Sequence, residues 1–473
     1  MMLRRALLWL AALAAVVVCL SGCACSESAS TSPDDAAISA DASSPDSPLA
    51  DGGADANVTT DATPGCSSPG ALDPTFGDGG VAVPFLPGKI NNAQAVVIEP
   101  NTQRILIGGT TTLDSALQAC VVTRLLPSGA YDPTFGIGGV ALGKIDGWDC
   151  SLDDIALQDD GKIVGVGSMG RLPEGSQGVL VRFDADGRVD TTFGAAGFAT
   201  FRVDSFSQGW GVAIDARGRI VVAAQSIRGD AQNESFRYLA LRYLSDGTLD
   251  PSFGTNGYVV TTFGGTFPAL DDIANDVVIQ SDGRILVVGG ANPEVSVENF
   301  GAIRFDDDGT RDPTYGVDGG AMASFGVGAT ANGVALDSLG RAVLVGETGM
   351  GNAGITRLLT NGSVDTSFGD GGTYVLPASG STVQGVFVSP FDARIVAVGW
   401  SHMAGMEVAR FEPDGVPDTS FGNQGLVALS TSPHGTFGYD VAIQADRKIV
   451  AVATRGDALP TPKQDFVVAR FCP

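Results

Sequence analysis

The chain predicts an all-β fold, a ring of seven four-stranded blades, and three observations carry that reading. One short motif recurs seven times; four apolar runs of strand length accompany each copy; and Gly- and Asp-rich turns separate the runs. The whole 473-residue chain is poor in charge (17%) and in aromatics (7%) and holds 65 glycines, a mix that suits short strands and tight turns better than long helices.

The motif is D-[PT]-[TS]-[FY]-G. It begins at Asp73, Asp132, Asp190, Asp250, Asp312, Asp365 and Asp418, at intervals of 53 to 62 residues. A short apolar run follows it, as in Gly80-Val81-Ala82-Val83. A second run comes next, as in Asp276-Val277-Val278-Ile279-Gln280, then a polar turn, Ser281-Asp282-Gly283-Arg284, and a third run, Ile285-Leu286-Val287-Val288-Gly289. The fourth run ends in Arg and an apolar residue, from Arg124-Leu125 to Arg470-Phe471. Runs of four to six residues rich in Val and Ile and bounded by Gly and Asp read as strands. The D-G pairs supply the turns, since Gly accepts positive φ and Asp bonds its own backbone.

A four-stranded unit of this kind has two apolar faces and cannot bury both alone. Radial stacking covers them, which is the propeller solution. A linear β-solenoid is the competing architecture. The recurring Arg and motif Asp read as structural partners, a buried guanidinium held by a carboxylate at a nearby turn. The motif Phe fills the gap between units, and the Gly after it permits the turn.

The D-x-T-F-G-x-x-G signature, the A-[IV]-Q-x-D-G-[KR]-I turn and the A-R-[FY]-x-x-D-G-x-x-D ending resemble the bacterial delta-60 repeat family over residues 70–473. That family is defined by its repeats, so the resemblance implies no catalytic residues. Tyr315 replaces Phe in unit five, and Phe391-Asp392-Ala393-Arg394 stands in unit six where D-G-[KR] is usual.

Both ends of the array point to ring closure. The chain stops at Cys472-Pro473, just after Arg470-Phe471, and the continuation that other units have is found before Asp73, where Gly70-Ala71-Leu72 matches Gly187-Arg188-Val189. In that register Cys66 and Cys472 occupy adjacent slots, which predicts a disulfide locking the first unit to the last. Cys120 and Cys150 are a second candidate pair, leaving Cys25 free or intermolecular.

Three segments result: a signal over residues 1–22, an acidic tether over 23–69 and the propeller over 70–473. Arg4 and Arg5 precede an apolar run from Ala6 to Leu20, too short to span a bilayer. Leu20-Ser21-Gly22-Cys23 resembles the bacterial lipobox, which implies acylation of Cys23 and a membrane anchor. Ala24 after the Cys is not the inner-membrane retention Asp, so by the same resemblance the outer membrane of the cell envelope is expected. The segment after Cys23 is rich in Ser, Ala, Asp and Pro and has no Lys or Arg, a composition that predicts a disordered, self-repelling tether.

Net charge is −25. Without the signal and tether, 26 basic residues still face 45 acidic ones. Such a body repels phosphate backbones, which argues against nucleic acid as partner.

One slot before the apolar residues of the second run varies: Ala95, Asp154, Gly211, Asp276, Gly333, Gly385 and Asp440. Asp154, Asp276 and Asp440 are therefore the candidate channel ligands for a hard cation such as calcium, or for a polar molecule. Other chemistries lack their residues. His402 and His434 stand alone in different units, giving no zinc set, and no G-x-S-x-G occurs. Gly165–Gly170 matches G-x-G-x-x-G without a following helix, and Gly138–Lys144 nearly spells a P-loop but ends on Ile145. The sequence thus predicts a monomeric, non-catalytic envelope lipoprotein whose propeller binds an envelope protein or glycan. A propeller hydrolase or lactonase using channel carboxylates, and a structural envelope protein, are the alternatives.

Overall fold

Val- and Ile-rich runs bounded by turn residues form strands here because each run is buried on both faces, between neighbouring sheets. The computed structural model describes residues 65–473, apart from residue 87 and the stretches 114–116, 172–174, 230–234, 265–271, 293–297, 327, 350, 377–380 and 457–462. The expected signal (1–22), Cys23, Cys25 and the tether up to residue 64 lie outside the described residues. Residues 65–69, placed in the tether by composition, are held to the propeller: Cys66 is disulfide-bonded and the Pro69 carbonyl accepts from the Gly422 amide.

The strands form seven four-stranded antiparallel sheets arranged as a β-propeller, as the repeat predicts. In blade one the strands are Asn91–Ile98, Ile105–Thr112, Gln118–Leu125 and Val140–Gly143. The first strand of each blade packs against the first strands of both neighbours, so these seven strands line the axis. They are Asn91–Ile98, Asp149–Leu157, Phe206–Ile214, Ile273–Ile279, Ala329–Leu336, Ser381–Val388 and Thr436–Ile443.

The repeat and the blade are out of phase by one strand. The short run after each motif is the outer strand of the preceding blade, not the first strand of the next. Consequently Val81–Ala82, near the start of the body, pairs with Gln464–Phe471 and completes blade seven. The offset leaves the last sheet one strand short until the first repeat supplies it, which closes the ring by backbone hydrogen bonds. Seven apolar clusters fill the gaps between blades, and one of them joins Ala93, Ile105 and Phe76 to Val452, Phe466 and Val468 across the seam.

The two ends of the ring differ. At one end, the third-to-fourth-strand connection has the same length in blades one to six: residues 126–139, 184–197, 244–257, 306–319, 359–372 and 412–425. At the other, the second-to-third-strand connections range from three residues (172–174, 349–351, 402–404) to seven (292–298, 457–463). The connections between blades at that end vary too, from 202–205 to 262–272. Among the described residues no helix is long and apolar enough to cross a membrane.

Candidate functional site

The constant end is built by the motif. Asp132 Oδ1 accepts from the Thr134 amide and hydroxyl, fixing the turn, while Oδ2 accepts from Arg124 Nε at 2.8 Å. The same pair recurs as Arg182–Asp190, Arg242–Asp250, Arg304–Asp312, Arg357–Asp365 and Arg410–Asp418, and closes the ring as Arg470–Asp73. Each guanidinium stacks on the motif aromatic, 4.3 to 4.8 Å from its centroid, from Arg124 over Phe135 to Arg470 over Phe76. Six of the seven then reach a carbonyl of the next blade, as Arg124 does to that of Ala185 and Arg470 to that of Pro127. The motif Gly adds a backbone bond in the same direction: the Gly77 amide donates to the Ser128 carbonyl. Gly77 has φ +54°, and a Cβ there would sit 2.2 Å from the Val81 carbonyl oxygen, so no other residue fits.

A second cation reaches the motif Asp in six of the seven copies: Arg104 to Asp132, Arg219 to Asp250, Arg284 to Asp312, Arg341 to Asp365, Arg394 to Asp418 and Lys448 to Asp73. These are the Lys and Arg that close the first hairpin turns. Burial alone would raise the motif carboxyls. Their hydroxyl and amide donors and the guanidinium outweigh it, so all seven are lowered, Asp312 to about 2.

The axis is where residues with unspent chemistry gather. Every first strand carries a β-bulge, between Ala93/Ala95, Leu152/Asp154, Gly209/Gly211, Ala274/Asp276, Ala331/Gly333, Val383/Gly385 and Gly438/Asp440. The inserted residues are Gln94, Asp153, Trp210, Asn275, Asn332, Gln384 and Tyr439, all half-buried. Asn275 Nδ2 donates to the Ala331 carbonyl and Asn332 Nδ2 to that of Val383, so the amides reach around the axis to the next blade. Gln208 lies 3.5 Å from Asp153, whose carboxyl burial lifts to about 7 against that amide. Composition alone does not show this ring; the signal in the sequence is the break in alternation before each apolar triplet.

The slot after each bulge holds the sequence-predicted channel residues. Asp154 Oδ2 accepts from the Val212 amide at 2.8 Å, Asp276 from Val334 at 2.9 Å and Asp440 from Val96 at 2.8 Å. Each carboxylate thus ties its own inner strand to that of the next blade, and its other oxygen accepts from its own following amide. The neighbouring slot must be small: a Cβ on Gly211 would lie 2.8 Å from Asp276 Cα, and one on Gly385 2.8 Å from Asp440 Cα. No two Asp slots are adjacent in this ring, since Ala95, Gly211, Gly333 and Gly385 stand between them.

The three carboxyls are half-buried. Burial raises Asp276 and Asp440 to about 7, and burial together with the charges of Asp276 and Asp440 raises Asp154 well above the ordinary carboxylate range. Among the described residues no three His, Cys, Asp or Glu side chains converge closely enough to hold a metal ion. Asp154, Asp276 and Asp440, the expected channel ligands, stand apart around the ring, and each bonds two backbone amides.

Cys66 and Cys472 are joined, Cα atoms 5.5 Å apart and 406 residues apart in sequence. Cys120 and Cys150 are joined as well, linking blade one to the inner strand of blade two with Cα atoms 5.0 Å apart. His402 and His434 are exposed on separate loops at the variable end. His402 stands edge-on to Trp400, which also meets Phe437 edge-on, and Met403 beside it is exposed. Gly165–Gly170 lies within the strand Ile163–Arg171, so it opens no phosphate site.

No curated protein matches the chain. Solved structures with similar topology include a protein of unknown function from Dyadobacter fermentans (13% identity, 83% of this chain and 97% of that one, TM-score 0.46). An ulvan lyase of polysaccharide lyase family PL25 (12%, 80% and 94%, 0.42) and a gluconolactonase from Xanthomonas campestris (14%, 80% and 97%, 0.33) are further ones. Residues 158–193, 218–253, 280–315, 340–368 and 392–421 match the family described as Domain of unknown function (DUF5122) beta-propeller. The body of this chain is accordingly a seven-bladed propeller that carries DUF5122 beta-propeller repeats.

Proposed function

We propose that the chain is an exported lipoprotein, acylated at Cys23, whose delta-60-like propeller is a non-catalytic scaffold binding an envelope protein or glycan at its variable end. The observation that carries the binding reading is the contrast between the two ends. Connections that share one length and one set of clips in six blades are doing the same structural job in each. Connections that range from three to seven residues on the opposite end are free to diverge, and loops on a rigid scaffold are the usual seat of recognition. The aromatic group of Trp400, His402 and Phe437 lies on that end.

Two measurements test the proposal. Metabolic labelling with a radioactive fatty acid should mark the wild-type chain and leave Cys23→Ser unlabelled and released from membranes; equal labelling of both refutes the anchor. The full chain should then bind selectively on an array of envelope glycans and peptidoglycan fragments. His402→Ala with Met403→Ala should weaken that binding, and Arg188→Ala at the constant end should leave it intact. Loss confined to Arg188→Ala would overturn the assignment of the binding end.

A further inference from the structure

The residues inserted at the seven axial bulges differ in kind from the strands that carry them. Those strands are rich in Val, Ile and Ala, yet every insertion is an amide, an acid or a ring with a polar atom. A bulge takes its extra residue out of the alternation that buries the neighbours, and these seven side chains stay half-buried.

Their hydrogen bonds divide the ring into two arcs. On blades four, five and six the insertions are spent within the protein. Asn275 Nδ2 donates to the Ala331 carbonyl, Asn332 Nδ2 to that of Val383, and Gln384 Nε2 to the Thr382 hydroxyl. On blades seven, one, two and three, which are consecutive around the closed ring, they are not. Among the described residues the Gln94 amide group and the Tyr439 hydroxyl have no hydrogen-bond partner, and Trp210 Nε1 is buried with none. Asp153 has only the Gln208 amide, 3.5 Å from one of its oxygens. The open arc thus places an amide and a carboxyl on the two blades between a phenol and an indole.

The unmet groups select what fits. Trp210 Nε1 only donates, the Asp153 carboxylate only accepts, and Gln94 and Tyr439 do both. An ammonium ligand offers donors alone and leaves the indole unmet. An anion offers acceptors alone and meets Asp153, Asp154 and Asp440 on strands that contain no Lys, Arg or His. A hydroxyl donates and accepts at once and carries no charge. Several hydroxyls on a ring whose C–H faces can lie on aromatic planes describe a sugar.

We propose that Tyr439, Gln94, Asp153 and Trp210 form a binding site on the axis for one neutral sugar unit, its hydroxyls paired with the open amide, carboxyl, phenol and indole groups. The site uses none of the loop residues at the variable end, so it stands apart from recognition there.

Isothermal titration of the full chain tests it, with glucose, galactose, mannose and N-acetylglucosamine as probes and glucuronic acid and glucosamine as the anionic and cationic counterparts. At least one neutral sugar should bind, and both charged sugars should bind about tenfold more weakly or worse. Gln94→Ala and Asp153→Asn should each weaken the neutral sugar about tenfold, and Gln384→Ala, on the spent arc, less than about twofold. The bound sugar should change the tryptophan emission of the wild type and leave that of Trp210→Phe unchanged. Gln94 makes no hydrogen bond within the described protein, so Gln94→Ala removes none from the fold and keeps the comparison valid. Failure of every neutral sugar to bind, tighter binding of either charged sugar, or equal losses in Gln94→Ala and Gln384→Ala overturns the site.

Discussion

Arg470 Nε donates to Asp73 Oδ2 at 2.8 Å across 397 residues of sequence, and the Asp73 side chain is fully buried. The pair is the seventh copy of a local one: in the other six, Arg at the end of the third strand and Asp on the connection after it are eight residues apart. At the seam the same chemistry joins the two ends of the body. Asp73→Ala leaves Arg470 and Lys448 buried without their carboxylate and should cost about 3–5 kcal/mol in denaturant unfolding. Asp446→Ala, which removes only the half-exposed partner of Lys448, should change stability by less than about 0.5 kcal/mol.

The Cys66–Cys472 bond closes nearly the whole body into one loop. In the chain-entropy account, replacing both residues by Ser should lower stability by up to about 4–5 kcal/mol. Peptide mapping without reductant should recover the two as one cross-linked fragment, and recovery of both as free thiols would falsify the covalent lock at the seam.

Tyr315 stands where six blades have Phe, and its hydroxyl is buried without a hydrogen-bond partner among the described residues. Tyr315→Phe removes that oxygen and keeps the ring under Arg304, 4.3 Å away. It should stabilise the protein by about 1 kcal/mol, seen as a higher denaturant midpoint with an unchanged slope.

Gly211→Asp tests the spacing rule around the axis. Its Cβ would press on the Asp276 backbone, and its charge would stand between Asp154 and Asp276. A cost of about 2–4 kcal/mol is expected. Unchanged thermal stability would show that adjacent Asp slots are tolerated.

The motif carboxyls set the acid limit. With folded values held below the ordinary 3.8, they stabilise the protein above that pH and lose this contribution as pH falls through their folded range, which for Asp312 is about 2. Near-UV circular dichroism should therefore report unfolding mainly between about pH 4 and pH 2. Asp312→Asn should start the transition from a lower stability at neutral pH and make it shallower. An acid transition identical to the wild type would remove this explanation.

Much of this architecture is legible in the amino-acid sequence. Seven copies of D-[PT]-[TS]-[FY]-G give the number of blades, and matching the two ends of the array brings Cys66 to Cys472. The phase of the blades is hidden, because a repeat has no edge: the run Val81–Ala82 reads the same whether it opens one sheet or completes another. The second cation on six of the motif Asp residues is hidden as well. Arg104 and Lys448 look like ordinary turn residues until the sheet brings first hairpin and motif to the same end. At the axis, variation in one slot singles out Asp154, Asp276 and Asp440. Their purpose is not legible there, because a carboxylate that binds a backbone amide of the next blade looks in sequence like one that awaits a cation.

The offset closure also decides how force travels. The outer strand that completes blade seven is only two residues long, Val81–Ala82, and pulling on it end-on would peel its few hydrogen bonds one after another. A load arriving through Gly65 meets the covalent Cys66–Cys472 link first and passes into the final, eight-residue strand, which sits between two neighbours in its sheet. Drag on the chain ahead of Gly65 is then shared at Cys66 between the backbone that leads to the two-residue strand and the disulfide that leads to the interior one.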